Sequence, residues 1–368
     1  MKIGIPKEIK PAEKRIAVTP AGVKALTAHG HRVYVEATAG IGSGFPDEAY
    51  AEAGAKLLKK AENVWDRADM VLKVKEPIGP EFEYMKPGQV LFTYLHLAAA
   101  RELTQKILAK KIVAIGYETV QLQDGSLPLL APMSEVAGAL SVQMGAYCLE
   151  AKNGGMGILL SGVPGVRPAR VTVIGAGVAG LAAATVASGM GARVSILDIN
   201  PVRLAYIRDV MQGRVVTINS NPANIEEECL GSDLVICTVL IPGAKAPKLI
   251  SRTLVRRMKK GSAIVDISID QGGCTETSRP TTHEEPIYIE EGVVHYCVAN
   301  MPGAVPRTST IALTNATFNY VLALAEKGWK KAVAEDPALK KGVNVCEGKV
   351  TCSPVGEAFG LKCSEIKL

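Results

Sequence analysis

Val171-Thr-Val-Ile-Gly-Ala-Gly-Val-Ala-Gly180, followed by Ser195-Ile-Leu-Asp198, is the stretch that decides how this 368-residue chain is read. The four-residue run Val171–Ile174, apolar but for Thr172, predicts a buried parallel strand, and three glycines then turn it into a helix. Gly175 suits the tight turn, Gly177 the close approach of backbone to a pyrophosphate, and Gly180 the packing of helix on strand. From Val178 onward the helix start offers N–H groups and a partial positive charge to that pyrophosphate. Asp198 ends the next strand, 23 residues after Gly175. There a carboxylate accepts both hydroxyls of an adenosine ribose and repels a 2′-phosphate. The pattern predicts a dinucleotide site that prefers NAD to NADP.

Working outward, short apolar runs predict six strands, at 171–174, 194–197, 215–217, 234–237, 263–266 and 295–298. The segments between them are long enough for parallel crossovers, so this part reads as a complete doubly wound dinucleotide-binding (Rossmann) domain. Ligands of such a sheet lie beyond its carboxyl ends, which gathers 175–180, Asp198, Val239, Leu240, 266–270 and 298–301 around one molecule. The first 128 residues predict a second doubly wound α/β unit without a phosphate loop. Its strands fall at 2–5, 33–36, 70–74, 90–93 and 112–116, and its helices include 20–29 and 98–110. Two long helices, 134–153 and 308–328, are expected to cross between the domains, and the tail from Trp329 to rejoin the first. The fold class expected is therefore α/β. A discontinuous substrate domain (1–128 and 307–368) surrounds an inserted NAD-binding domain (129–306), with a cleft for a small molecule between them.

Composition narrows the function classes. Hydrophobic residues make up 48% and charged residues 21%, an ordinary globular balance. The net charge of +6 is spread out. Its longest basic run, Arg256-Arg257-Met-Lys-Lys260, flanks a predicted helix end that cations complement, and no nucleic-acid motif accompanies it. No run of about twenty apolar residues predicts a membrane span. Lys2, Lys7 and Glu8 at the start argue against a signal peptide. The eight cysteines form no C-x-x-C, so reduced thiols of a cytoplasmic protein are expected.

Outside the glycine turn, four residues suggest chemistry. His96 ends Val90-Leu-Phe-Thr-Tyr-Leu-His96, after a strand and before a helix, where it could act as acid/base or simply cap or pack that helix start. Lys75, in Val71-Leu-Lys-Val-Lys75, and Arg15, in Glu13-Lys-Arg15-Ile, suit a carboxylate substrate, or are surface charges. Asp270, in Val265-Asp-Ile-Ser-Ile-Asp270, follows the fifth strand of the nucleotide domain, as an acid/base or a turn cap.

Six motifs bear on these choices. They are Met1-Lys-Ile-Gly-Ile-Pro-Lys-Glu8, Tyr94-Leu-His-Leu-Ala98, Ser126-Leu-Pro-Leu-Leu-Ala-Pro-Met-Ser134, Gly162-Val-Pro-Gly-Val166, Asp270-Gln-Gly-Gly-Cys274 and Asn300-Met-Pro-Gly-Ala-Val-Pro306. In this order, over all but about the last thirty residues, the chain resembles the NAD-dependent L-alanine dehydrogenases. Proton-translocating transhydrogenase subunits and lysine-forming saccharopine dehydrogenases share parts of the pattern. The resemblance implies reversible oxidative deamination of L-alanine to pyruvate and ammonium. It implies that Arg15 and Lys75 hold the substrate and that His96 and Asp270 form the acid/base pair. To the cofactor it assigns Ser134, Asp198, Arg203, Ser220, Val239, Leu240, Ile267, Ser268, Ile269, Asp270, Arg279, Val298, Ala299, Asn300 and Met301, beside the glycine turn. His283 and His295 receive no role and read as structural. Some members bind Mg²⁺ through an acid and a histidine on the second long helix. Here Val321-Leu-Ala-Leu-Ala-Glu-Lys327 has no histidine, so no metal is expected. The resemblance also points to a homohexamer. A transhydrogenase subunit and a non-catalytic NAD sensor remain as alternatives, separable by an alanine-dependent NADH assay.

Overall fold

The apolar runs form parallel strands wherever crossover segments cover both of their faces. In the computed structural model, which describes residues 1–240 and 245–366, the first six are β1 (Lys2–Ile5), β2 (Arg32–Glu36), β3 (Lys56–Leu58), β4 (Met70–Leu72), β5 (Val90–Thr93) and β6 (Val113–Gly116). The next seven are β7 (Arg170–Ile174), β8 (Arg193–Asp198), β9 (Val215–Asn219), β10 (Leu234–Cys237), β11 (Ala263–Asp266), β12 (Ile287–Glu290) and β13 (Val293–Tyr296). Near the end lie β14 (Val343–Cys346) and β15 (Lys349–Val350). One sheet has the order β15-β14-β6-β5-β4-β1-β2-β3 and the other β12-β13-β11-β10-β7-β8-β9. Apart from β12, β14 and β15, every paired neighbour is parallel. Both sheets are doubly wound, with strand order reversing beside their first strand, at β1/β4 and at β7/β10.

The chain divides into two compact units, Met1–Met133 with Val305–Leu368, and Ser134–Ala304. The first has a core of Trp65, Leu91, Leu95 and Ile107, to which the tail adds Val345 and Val355. The second packs Ile174, Leu197, Val235, Ile250, Val255 and Ile264. Among the described residues no helix is long and apolar enough to cross a membrane.

Several boundaries differ from the sequence reading. The strand expected at 70–74 stops at Leu72, because Lys73 turns inward to buried carboxylates. The strand expected at 295–298 is Val293–Tyr296, and Val298 makes only a single bridge to Thr281. The helix expected at 134–153 runs Ala131–Cys148, its first turn accommodating Pro132. The helix expected at 308–328 runs Pro306–Glu335 and breaks at Gly328, whose φ is 73°. β3, β12, β14 and β15 were not anticipated. Two of these complete hairpins through the same device, Glu291-Gly292 (φ 52° and 76°) and Glu347-Gly348 (φ 51° and 77°). Positive φ at both central residues gives the turn whose twist matches paired strands. The basic run at 256–260 is matched by acids: Arg256 pairs with Glu291, Arg257 with Glu226 and Lys259 with Asp233.

Candidate active site

The glycine turn occupies the reversal between β7 and β10. Gly175 has φ 105°, and Thr238, just past β10, donates its hydroxyl to the Gly175 carbonyl at 2.8 Å. A Cβ on Gly180 would stand 1.9 Å from that same carbonyl oxygen, so the helix Val178–Gly189 can seat only on glycine there. Gly177 differs: a Cβ built on it meets nothing within 4 Å. The first intrahelical bond runs from the Leu181 N–H to the Gly177 carbonyl. The N–H groups of Val178, Ala179 and Gly180 therefore have no partner within the helix. A cradle open over Gly177, lined by N–H groups without a partner among the described residues at a positive helix end, fits the pyrophosphate of a dinucleotide.

Asp198 ends β8 and braces this turn, accepting from Ala176 N–H at 2.7 Å and Asn200 N–H at 2.8 Å. Ser220 donates its N–H to the Asp198 carbonyl at 2.9 Å. Arg203 is drawn to the turn itself, bonding the Ala176 and Gly177 carbonyls and lying over the Tyr206 ring at 4.7 Å. Ser134 lies in the first turn of its helix but three residues inside it, so its hydroxyl is the donor it can offer a ligand.

Beyond β11, the chain makes a tight helical turn over Ile267–Gln271. Its cap is Asp266, buried and accepting from Ser268 N–H, Cys274 N–H and the Ser278 hydroxyl. Burial pushes the Asp266 carboxyl up against those bonds. The capping alternative for Asp270 therefore fails: its carboxylate is exposed and has no hydrogen-bond or ion-pair partner among the described residues. The Ser268 hydroxyl donates to the Val239 carbonyl at 2.7 Å, while Ile269 is buried and Ile267 half-buried. Leu240 is exposed beside Val239. Arg279 lies over the Tyr288 ring at 4.0 Å. Val298 and Met301 are buried and Ala299 donates its N–H to the Thr281 carbonyl. Asn300 has φ 60°, and its carbonyl accepts from Gly303 N–H. His283 Nε2 lies 3.3 Å from that carbonyl. His295 is buried between Thr277 Oγ1 (2.7 Å) and the Val293 carbonyl (2.9 Å), and burial lowers its pKa.

In the other unit, the carboxyl edge of the sheet collects the remaining residues. Glu8 follows β1 and accepts Val74 N–H at 2.6 Å and Lys75 N–H at 3.4 Å across the β1/β4 reversal. The Lys75 carbonyl accepts from the Thr93 hydroxyl at 2.9 Å, so both ends of that peptide segment are tethered. Arg15 is 2% exposed, its Nε and Nη2 bonded to the two oxygens of Glu13 at 2.7 and 2.5 Å, with Nη1 3.1 Å from Met133 Sδ. Burial works against the Arg15 charge, but Glu13 more than offsets it and the pKa is raised.

His96 sits in the left-handed region (φ 49°), and no side-chain cap bond joins it to the short turn behind it, so the capping alternative fails. Glu118, beyond β6, accepts His96 N–H at 2.6 Å and Leu95 N–H at 3.2 Å. The Tyr94 ring lies parallel to the imidazole at 5.9 Å, with its hydroxyl donating to the Leu129 carbonyl. Burial raises the Tyr94 pKa, so it stays a neutral wall. Sequence reasoning missed Glu8, Glu13, Lys73, Glu81 and Glu118. Lys73 is fully buried, with Glu8 at 3.0 Å and Glu81 at 2.6 Å. Burial opposes its charge, yet the two carboxylates raise its pKa. Only Glu13, two residues from Arg15, lies within local spacing of its partner, although a lysine in an apolar strand was itself a signal of a buried acid.

Two family models match, "Alanine dehydrogenase/PNT, N-terminal domain" over residues 4–137 and "Alanine dehydrogenase/PNT, C-terminal domain" over 141–353. The chain is 56% identical to an alanine dehydrogenase of Methanococcus maripaludis over 362 residues, 98% of this chain and 97% of that one. It is equally identical to one of Staphylococcus haemolyticus over 368 residues, covering 100% and 98%. A solved L-alanine dehydrogenase superposes with a TM-score of 0.94 at 50% identity, covering 98% of this chain and 99% of that one. A solved transhydrogenase from Sinorhizobium meliloti gives 0.81 at 26%, covering 96% and 99%. The chain belongs to the alanine dehydrogenase/PNT family.

Proposed function

We propose that this chain oxidises L-alanine with NAD⁺ and water to pyruvate, ammonium, NADH and a proton, and runs the reverse reaction. The observation that carries the reading is 56% identity to curated alanine dehydrogenases across the whole chain. The unit built on Met1–Met133 is the substrate domain and Ser134–Ala304 the cofactor domain. Val178–Gly180, Asp198 and the 266–270 and 298–301 segments would hold NAD, which accepts a hydride from the amino-acid Cα when bound.

The protein's own residues bind, orient and move protons. Arg15 supplies a buried planar cation, held in place by Glu13, to a substrate carboxylate. Lys75, fixed by Glu8 and Thr93, supplies a second charge where negative charge grows on the substrate oxygen. Water must add to the imine left at Cα, and the carbinolamine must then expel ammonia. His96 and Asp270 are the groups offered for these proton transfers, both exposed and both without hydrogen bonds to their titrating atoms among the described residues. The resemblance adds a homohexameric, cytoplasmic enzyme.

The test is absorbance at the NADH band with alanine and NAD⁺, and with pyruvate, ammonium and NADH. Activity in both directions is expected, and His96→Ala should lower kcat at least about a hundredfold while NADH still binds. Silence in both directions would overturn the reading, and undiminished turnover in H96A would remove His96 from it. Light scattering checks the oligomer.

A further inference from the structure

Cys237 and Cys274 are 37 residues apart in sequence, yet their sulfurs and the Asp266 carboxylate lie within 4.8 Å of one another, all buried. Cys237 ends β10, paired with Asp266 of β11, and Cys274 closes the loop that carries Asp270. Both contact the framework of the proposed cofactor crevice. Thr238, next to Cys237, holds the Gly175 carbonyl. The Cys274 thiol donates to Ser268 Oγ at 3.2 Å, and Ser268 donates in turn to the Val239 carbonyl. Asp266 is already saturated by Ser268, Cys274 and Ser278, which favours chemistry at the two sulfurs over capture of a metal ion.

We propose that Cys237 and Cys274 are an oxidisable dithiol: a peroxide joins them as a disulfide and thereby disables the cofactor crevice. The consequence for activity rests on the reading above, whereas the disulfide itself does not. Cys237 lies within a central strand and Cys274 in a loop, where the neighbouring thiol lowers its pKa, so Cys274 is the first nucleophile. Its thiolate attacks a peroxide oxygen, the O–O bond breaks, and the departing hydroxide takes a proton to become water. Cys237, giving up its proton, then attacks the sulfenic sulfur. An S–S bond forms and the hydroxyl leaves as a second water. Two thiols are oxidised by two electrons, and one peroxide is reduced to two waters. By contrast, burial pushes the Cys148 and Cys229 thiols up to about 12.

Closure brings the sulfurs to about 2.05 Å and pulls Cys274 from Ser268. Ser268 and Asp270 share one tight turn, so Val239 and the Asp270 carboxylate move with it. Displacements near 1 Å at a reacting group cost about a hundredfold in rate. Because the disulfide disfavours bound cofactor, cofactor must equally disfavour the disulfide. Both sulfurs are buried, so oxidation proceeds from locally opened states and bound NADH should slow it.

The experiment oxidises the full-length protein with hydrogen peroxide, alkylates it, and maps peptides by mass spectrometry without reduction. A Cys237–Cys274 link is expected, with titratable thiols falling from eight to six. kcat/KM for alanine should fall about a hundredfold and return with dithiothreitol. NADH should slow link formation, and C274S, which lacks the attacking thiol, should keep activity under peroxide. No linked peptide, or a linked protein with full activity, overturns the proposal, and wild-type mapping decides it even if C274S does not fold. A reduced protein inert toward alanine would instead refute the catalytic reading, with the link still scored by mass.

Discussion

Gly177→Ala and Gly180→Ala should fail in opposite ways, although the two glycines stand three residues apart in one motif. At Gly180 the added methyl would lie 1.9 Å from the Gly175 oxygen, 2.9 Å from its carbon and 3.0 Å from Thr238 Oγ1. The first two are backbone atoms of a turn already held at φ 105°, so the helix must retreat by more than about 1 Å to reach normal contact. Overpacking of this kind costs about 1–3 kcal/mol, and a backbone obstacle places it near the top of that range. For a unit of this size each kcal/mol lowers Tm by about 2–4 °C, so G180A should melt about 6–12 °C lower. At Gly177 nothing lies within 4 Å and φ is −67°, which alanine adopts without strain. Alanine is the poorer helix cap but loses less chain entropy on folding, and these terms offset to within about 0.5 kcal/mol. The methyl does fill the approach to the helix N–H groups. Losing one charge-assisted bond to a phosphate, about 1.5–3 kcal/mol, weakens binding about 10- to 150-fold. Calorimetry and NADH fluorescence titration on both variants decide the matter. A G180A protein with wild-type Tm, or a G177A protein that melts early yet binds NADH normally, would refute the division of roles.

Asp198→Ala should raise the NADP-to-NAD ratio of kcat/KM at least about tenfold, since it removes the charge that repels a 2′-phosphate; parallel assays with the two cofactors check it. Glu118→Gln leaves one acceptor oxygen where two now hold the Leu95 and His96 N–H groups, loosening a left-handed His96. Its kcat should fall about tenfold with NADH affinity unchanged, read by steady-state kinetics and fluorescence titration. His295 is kept neutral by burial, and its native pKa lies below the unfolded value of about 6.5. Its contribution is therefore complete above about pH 6.5 and is lost as pH falls toward the native pKa, because only the unfolded chain takes up that proton. Denaturant melts between pH 7.5 and 5 should show a shallower acid slope in H295Q, by at most about 1.4 kcal/mol per pH unit.

Residues legible in the sequence were those whose type is set by something local. Gly175, Gly177 and Gly180 are read from a strand, a turn and a helix contiguous in the chain, and Asp198 from the end of the next strand. Each carries its geometry in its neighbours: the φ of Gly175 and the contact at Gly180 follow from turning β7 into a helix within a few residues. His96, Lys75 and Asp270 were visible as polar residues at the ends of apolar runs, but their alternatives were equally local, and only the fold separates them. Asp266 takes the capping bonds that Asp270 could have taken, and the His96 side chain makes no cap bond to the turn that follows it, while Glu118 holds the His96 N–H.

What stayed hidden depends on strand order, which composition and period do not encode. Because order reverses at β1/β4, residues 8 and 73–75 become neighbours, and one carboxylate can hold both Lys73 and the Lys75 backbone. Because β10 lies beside β11, Cys237 meets the loop after Asp266. The unanticipated hairpins are a different kind of omission. Glu291-Gly292 and Glu347-Gly348 each follow a short β-prone run, and a two-residue turn ending in glycine there signals a returning strand. β14 and β15 lay in the tail that had no distinctive motif, yet they extend the sheet of the first unit and bring Val345 and Val350 into its core. Apart from Arg15, the candidate substrate-binding and acid/base residues sit close after strand ends and can be read there. Glu13 holds Arg15 from two residues away, but Glu8 and Glu118 reach Lys75 and His96 across neighbouring strands, and that pairing must be read from topology.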